Sequence, residues 1–80
     1  MGPRYAKEPP RRALRASIQR RVYGMLRSRL NSVGMNVTEG RVADVMAILD
    51  EEYGYENVTE SDILRETRLY VGQLERRYTR

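Results

Sequence analysis

The chain contains no cysteine, histidine, tryptophan or phenylalanine among its 80 residues. Without cysteine there is no disulfide framework and no thiolate metal site, and without histidine the other common ligand of transition metals is missing too. The same two absences remove the most frequent general base and the commonest strong nucleophile of enzymes. We therefore expect no metal centre, no cofactor and no enzymatic activity.

Phosphate-cradling glycine loops and long apolar runs are also missing. Neither a G-x-x-x-x-G-K-[ST] loop nor a G-x-G-x-x-G turn occurs, so no motif indicates a small-molecule substrate. No uncharged apolar stretch approaches the length of a membrane span, and residues 1–10 lack the apolar centre of a signal peptide. We expect a protein that does not contact a membrane and that resides in the cytoplasm or nucleoid, or inside a virion.

Acidic residues are scarce at the N-terminal end of the chain. Residues 1–32 carry nine basic side chains against the single acid Glu8, a net charge of +8, whereas residues 33–80 carry six arginines against ten acids, a net charge of −4. Fourteen of the fifteen basic residues are arginine, whose planar guanidinium binds phosphate with two parallel hydrogen bonds. This polarity is typical of an arm that binds phosphates and a body that makes protein contacts.

Apolar residues at steps of three and four predict a mainly α-helical chain. Residues 1–10 hold all three prolines and are expected to form a flexible basic tail, followed by a single small helical domain at 11–80. Helices are predicted at about 11–31, 39–53 and 60–78. Their expected inward faces are Leu14, Ile18, Val22, Met25, Leu26 and Leu30; then Val42, Val45, Met46, Leu49 and Tyr53; then Ile63, Tyr70, Val71, Leu74 and Tyr78.

An internal repeat marks the starts of the second and third helices. Asn36-Val37-Thr38-Glu39 recurs as Asn57-Val58-Thr59-Glu60. Thr38 and Thr59 are predicted N-caps, and the following glutamates suit the positive end of each helix dipole. Glycines at 34 and 54 are predicted to end the helices that precede them.

From Ser32 to Tyr78 the sequence has a short alternating segment, a capped helix, a glycine turn and a second capped helix. The alternation is Val33, Met35 and Val37 against Gly34 and Asn36, the first cap is Thr38, and Gly54-Tyr55-Glu56-Asn57-Val58-Thr59-Glu60 forms the turn and second cap. This order resembles the ribbon-helix-helix repressors, the family of Arc and MetJ, over 47 of 80 residues. Family strands usually lie near the N-terminus, whereas here a basic helix comes first.

The resemblance implies a homodimer in which residues 33–37 of two chains pair into a ribbon that enters the major groove. The outward side chains would be Ser32, Gly34 and Asn36, of which only Asn36 can make a bidentate contact with adenine. From the residues alone a strand and a plain loop are both open, because five residues with an interior glycine make a marginal strand.

We expect a small dimeric or higher oligomeric DNA-binding protein, either a transcription regulator or an accessory factor, with duplex DNA as the favoured partner. The tail and first helix would neutralise phosphates, while the second and third helices would form the core and the dimer surface. The expected nucleic-acid-binding residues are Arg4, Lys7, Arg11, Arg12, Arg15, Arg20, Arg21, Arg27, Arg29 and Asn36. The alternative is a structural component of a virion or nucleoprotein particle that contacts packaged nucleic acid or an acidic protein.

Overall fold

A computed structural model of the chain describes residues 11–78. Helix α1 comprises Arg11–Ser32, α2 Glu39–Glu52 and α3 Glu60–Tyr78, and a short 3-10 turn, Tyr55–Asn57, joins α2 to α3. No residue from 11 to 78 lies in a strand. The prediction of a mainly helical chain with three helices is confirmed; the predicted ends of the first two helices each differ by one residue.

Residues 33–37, for which the sequence left a strand and a loop open, form the loop between α1 and α2. Gly34 takes the left-handed conformation, with φ of 80°. The Met35 N–H donates to the Leu30 carbonyl at 2.8 Å, and the Gly34 N–H donates to the Asn31 carbonyl at 3.1 Å. This pair of bonds is the Schellman ending, which satisfies two carbonyls that the last turn of α1 would otherwise leave open.

Both predicted N-caps are confirmed. Thr38 Oγ1 accepts a hydrogen bond from the Arg41 N–H at 3.1 Å, and Thr59 Oγ1 accepts one from the Asp62 N–H at 3.1 Å. Asp62 Oδ2 also accepts from the Thr59 N–H at 3.0 Å, which closes a reciprocal capping box. The expectation from sequence placed only Glu60 in this first turn and missed the bond of Asp62.

The core draws on all three helices of a single chain. Its buried members are Ile18, Val22, Leu26 and Leu30 of α1, Val42, Val45, Met46 and Leu49 of α2, Tyr55 of the turn, and Ile63, Val71 and Leu74 of α3. The expectation that the second and third helices form the core is therefore confirmed only in part, because α1 contributes four of the twelve buried residues. Helix α1 carries a regular apolar stripe, and burying that stripe covers the inner faces of α2 and α3.

The C-terminal end of α3 departs from the predicted inward face. Tyr78 is 60 % exposed, and the guanidinium of Arg41 lies 6.0 Å from the centroid of its ring. Arg41 belongs to the first turn of α2, so the bundle is already ending at this level and there is no core for Tyr78 to enter. Thr67 is fully buried instead, and its hydroxyl donates to the Ile63 carbonyl at 2.6 Å.

Contacts between side chains show how the helices run relative to one another. Tyr53 donates to Glu66 at 2.7 Å and Tyr70 donates to Asp44 at 2.6 Å, so α2 and α3 run antiparallel. Arg11, at the start of α1, reaches residues at the end of α2 and in the turn that follows it. Helix α1 therefore also runs antiparallel to α2, and its outer side faces away from both partners.

These tyrosine contacts raise the pKa values of both phenols. The hydrogen bond to Glu66 raises the pKa of Tyr53. Burial, together with the hydrogen bond to Asp44 and the charge of that carboxylate, raises the pKa of Tyr70 to about 12. Both phenols stay protonated at neutral pH and act as hydrogen-bond donors between α2 and α3.

Removing the second capping residue tests the start of α3. Changing Thr59 to Ala should lower the free energy of unfolding by about 1 kcal/mol, because the Asp62 N–H loses its partner. Ser61→Ala is the matched control, since that side chain is exposed and should alter stability by less than about 0.5 kcal/mol. Equal unfolding midpoints in denaturant for the wild type and Thr59→Ala would contradict this cap.

The Tyr70 contact predicts a loss of stability in alkaline solution. Because the folded-state pKa lies above the ordinary value of 10.0, this contribution is complete below pH 10 and disappears as the pH rises toward 12. Asp44→Asn should shift the highest step of tyrosinate formation, followed by ultraviolet absorbance, to lower pH, because the negative charge that opposes ionisation is gone. The same titration curve in both proteins would show that Asp44 does not act on Tyr70.

Candidate nucleic-acid interface

Helix α1 carries seven arginines and no acidic residue over its 22 positions. Because one stripe of the helix is buried in the core, the arginines occupy its flanks and outer side. They fall into two groups, according to whether a carboxylate of the same chain lies within ion-pair distance. The second group is the larger, and four of its five members form the candidate interface.

The first group, Arg11 and Arg21, is neutralised within the chain. Arg11 lies 3.1 Å from Glu56 and 3.5 Å from Asp50, and its guanidinium is 5.5 Å from the ring centroid of Tyr55. Arg21 lies 3.3 Å from Glu60. More than half of each arginine side chain remains exposed, so each pair contributes less than about 1 kcal/mol. These ion pairs nevertheless engage Arg11 and Arg21, two of the arginines that were expected to bind phosphates.

The exposed members of the second group define what we call the arginine face. Its members are Arg12, Arg15, Arg20 and Arg27, all exposed. Within residues 11–78 none of these four guanidinium groups lies within 4.0 Å of a carboxylate, the distance taken for an ion pair. Arg29 also has no carboxylate partner in that range, but it is half-buried and lies on the opposite flank of α1.

Helical spacing arranges the arginine face in two rows. Arg12 and Arg20 are eight residues apart on the side away from the core, and Arg15 and Arg27 are twelve apart on the flank toward α2. From Arg12 to Arg27 the face extends about 22 Å along the axis at the rise of an α-helix. Arg12 also lies in the first turn, where the helix dipole adds positive potential.

An open groove of about 1040 Å³ lies between the first half of α1 and the start of α2. Helix α1 contributes Arg15, Gln19, Arg20 and Tyr23 to its walls, and the opposite wall includes Val37, Thr38, Glu39 and Val42. The floor is apolar and the α1 side is cationic. Glu39 is the only acidic residue among those lining the groove.

The remaining expected residues lie elsewhere. Arg4 and Lys7 are outside the described residues. Asn36 lies in the loop between α1 and α2 with an exposed side chain, and its backbone carbonyl accepts from Arg41 Nη1 at 2.9 Å.

Sequence reasoning missed Tyr23, which is 46 % exposed on α1. Its spacing of four residues from Gln19 and from Arg27 was the available signal.

Two further properties of residues 11–78 bear on the kind of site. No three histidine, cysteine, aspartate or glutamate side chains in this range are grouped so that they could hold a metal ion. None of the three helices combines the length and the apolar character that crossing a membrane requires. Comparison with protein-family models, curated protein sequences and solved structures finds no match.

Proposed function

We propose that this chain is a non-enzymatic nucleic-acid-binding protein whose arginine face holds phosphates. The observation that carries the proposal is the difference between two groups of arginines on one helix. Arg11 and Arg21 have carboxylate partners, whereas the four members of the arginine face have none within residues 11–78. Phosphate oxygens supply the missing partner, and guanidinium groups bind them in a bidentate manner.

The dimensions of the arginine face suit a nucleic-acid backbone. Its length of about 22 Å equals the rise of six or seven base pairs, at 3.4 Å for each phosphate along one strand. Release of condensed counterions by four bound phosphates predicts a slope of about −3.6 for log affinity against log salt on duplex DNA. Arg4 and Lys7 of the N-terminal segment, if they also contact phosphates, steepen that slope to about −5.4.

Phosphate contacts orient a protein on the duplex but do not read bases, so the proposal includes little preference for sequence. Base readout by Asn36 through a ribbon would require a second chain to pair with residues 33–37. The proposal does not depend on a dimer, because the twelve buried apolar residues of the core come from one chain. Duplex DNA of random sequence is therefore the first probe.

Reversing two charges of the arginine face tests the proposal. In the double variant Arg15→Glu, Arg20→Glu, the salt slope on a random 20-base-pair duplex should become shallower by about two units, because two contacts are lost. Both side chains are exposed, so far-ultraviolet circular dichroism should show unchanged helical content. Affinity is measured by fluorescence anisotropy from low to physiological salt.

The matched control is Arg68→Glu, Arg76→Glu, which makes the same change in net charge at exposed positions of α3. It should leave the slope within about half a unit of that of the wild type, because the number of phosphates contacted is unchanged. Equal changes of slope in the two double variants would contradict a localised interface. Absence of binding to any nucleic acid at low salt would reject the proposal and favour an acidic protein partner, as in the assembly alternative.

A further inference from the structure

Among the tyrosines of residues 11–78, one makes no hydrogen bond and no ring contact within that range. Tyr53 and Tyr70 donate to carboxylates, Tyr55 donates to the Met46 carbonyl at 3.3 Å, and Tyr78 lies under Arg41. Tyr23 makes no hydrogen bond and no ring contact with any residue in that range, although 46 % of it is exposed. An exposed aromatic ring whose hydroxyl and faces make no such contact within residues 11–78 is available to a ligand.

Positive and hydrogen-bonding groups surround this ring. Arg15, Gln19, Tyr23 and Arg27 follow one another at intervals of four residues, so they form a single row on α1. Arg20 lies one turn before Tyr23 and lines the same groove. A base stacked on Tyr23 would therefore have cations for its flanking phosphates and, in Gln19, an amide that both donates to and accepts from a base edge.

The groove fits a flat base better than it fits another helix. Of its apolar lining residues, Val42 and Met46 are only 6 % and 2 % exposed. Apart from Tyr23, the others are the small Ala16 and Ala43 and the half-buried Val37, so a docking helix would bury little additional apolar surface there. A base needs only one exposed ring face, which Tyr23 supplies. The cationic α1 wall also favours a polyanion over a neutral or basic peptide.

We propose that the groove between α1 and α2 binds an unpaired nucleotide, whose base stacks on Tyr23 while Arg15 and Arg20, which line the groove, hold the adjacent phosphates. This inference rests on the proposed phosphate binding by the arginine face and adds the class of nucleic acid. Bases in a duplex are stacked on each other and cannot reach the ring, whereas bases of a single strand can. The groove thus selects single-stranded segments.

The test compares Tyr23→Leu and Tyr23→Phe on labelled random 20-mers of single-stranded DNA, RNA and duplex DNA. Loss of the ring in Tyr23→Leu should weaken single-strand binding about tenfold, within the range for base–aromatic stacking, whereas Tyr23→Phe should retain it. Duplex binding should change less than twofold in both. Tyr78→Leu, the same change at an exposed tyrosine outside the groove, should leave all three affinities unchanged.

A second measurement uses the absence of tryptophan from the chain. Tyr23→Trp introduces a single indole, whose fluorescence should be quenched by the single strand and not by the duplex, because only the former stacks on it. Unchanged single-strand affinity in Tyr23→Leu would overturn the inference. If the double variant Arg15→Glu, Arg20→Glu still binds more weakly than the wild type, the proposed phosphate binding would stand. Equal losses on single strand and duplex would overturn the inference too. If no probe binds the wild type but an acidic peptide does, both proposals fail.

Discussion

Burial of the apolar stripe of α1 against α2 and α3 is the interaction on which the rest of the structure depends. The stripe supplies Ile18, Val22, Leu26 and Leu30, and burying four such side chains contributes roughly 6 to 12 kcal/mol in total. The exposed ion pairs at Arg11 and Arg21 contribute less than about 1 kcal/mol each. Packing therefore decides how α1 is rotated, and the direction of every arginine on it follows from that rotation.

The arginines of α1 differ in their partners: some pair with carboxylates of the same chain, and others have no such partner in residues 11–78. Arg11 and Arg21 lie where the start of α1 passes the acidic end of α2 and the start of α3, so carboxylates of the same chain reach them. Arg12 and Arg20 are exposed on the outer side of α1, and Arg20 also lines the groove between α1 and α2. Over residues 11–78 the fold thus pairs Arg11 and Arg21 with carboxylates and leaves a cationic surface exposed. The proposed function uses that surface.

The residues that mark the helix ends predicted those ends well, because the hydrogen bonds they form join positions that are close in the sequence. Thr38, Thr59, Gly34 and Gly54 each act on backbone groups within five residues, so their roles could be predicted without the fold. The half of the capping box supplied by Asp62 lies at the same short range, but Asp62 is not part of the repeated Asn-Val-Thr-Glu motif that predicted the caps. The exposure of Tyr78 depends on where α2 begins beside it, which helical periodicity does not encode.

The candidate site was predictable as a charge pattern but not as an arrangement. Clustering of arginine on α1 is visible in the sequence, whereas the pairing of Arg11 with Glu56 joins residues 45 positions apart. The groove beside Tyr23 likewise requires the register of α1 against α2. Tertiary packing thus reduced seven arginines of α1 to four exposed ones without a carboxylate partner in residues 11–78, and it placed an exposed aromatic ring among them.

If the arginine face of α1 contacts phosphates, bound nucleic acid should protect its arginines from chemical modification. The chain is treated with an arginine-specific dicarbonyl reagent, with and without saturating random-sequence nucleic acid, and modification is quantified at each site by mass spectrometry. The account predicts protection of Arg12, Arg15, Arg20 and Arg27, while the exposed Arg68 and Arg76 of α3 react as before. Protection confined to α3, or spread equally over both helices, would contradict it.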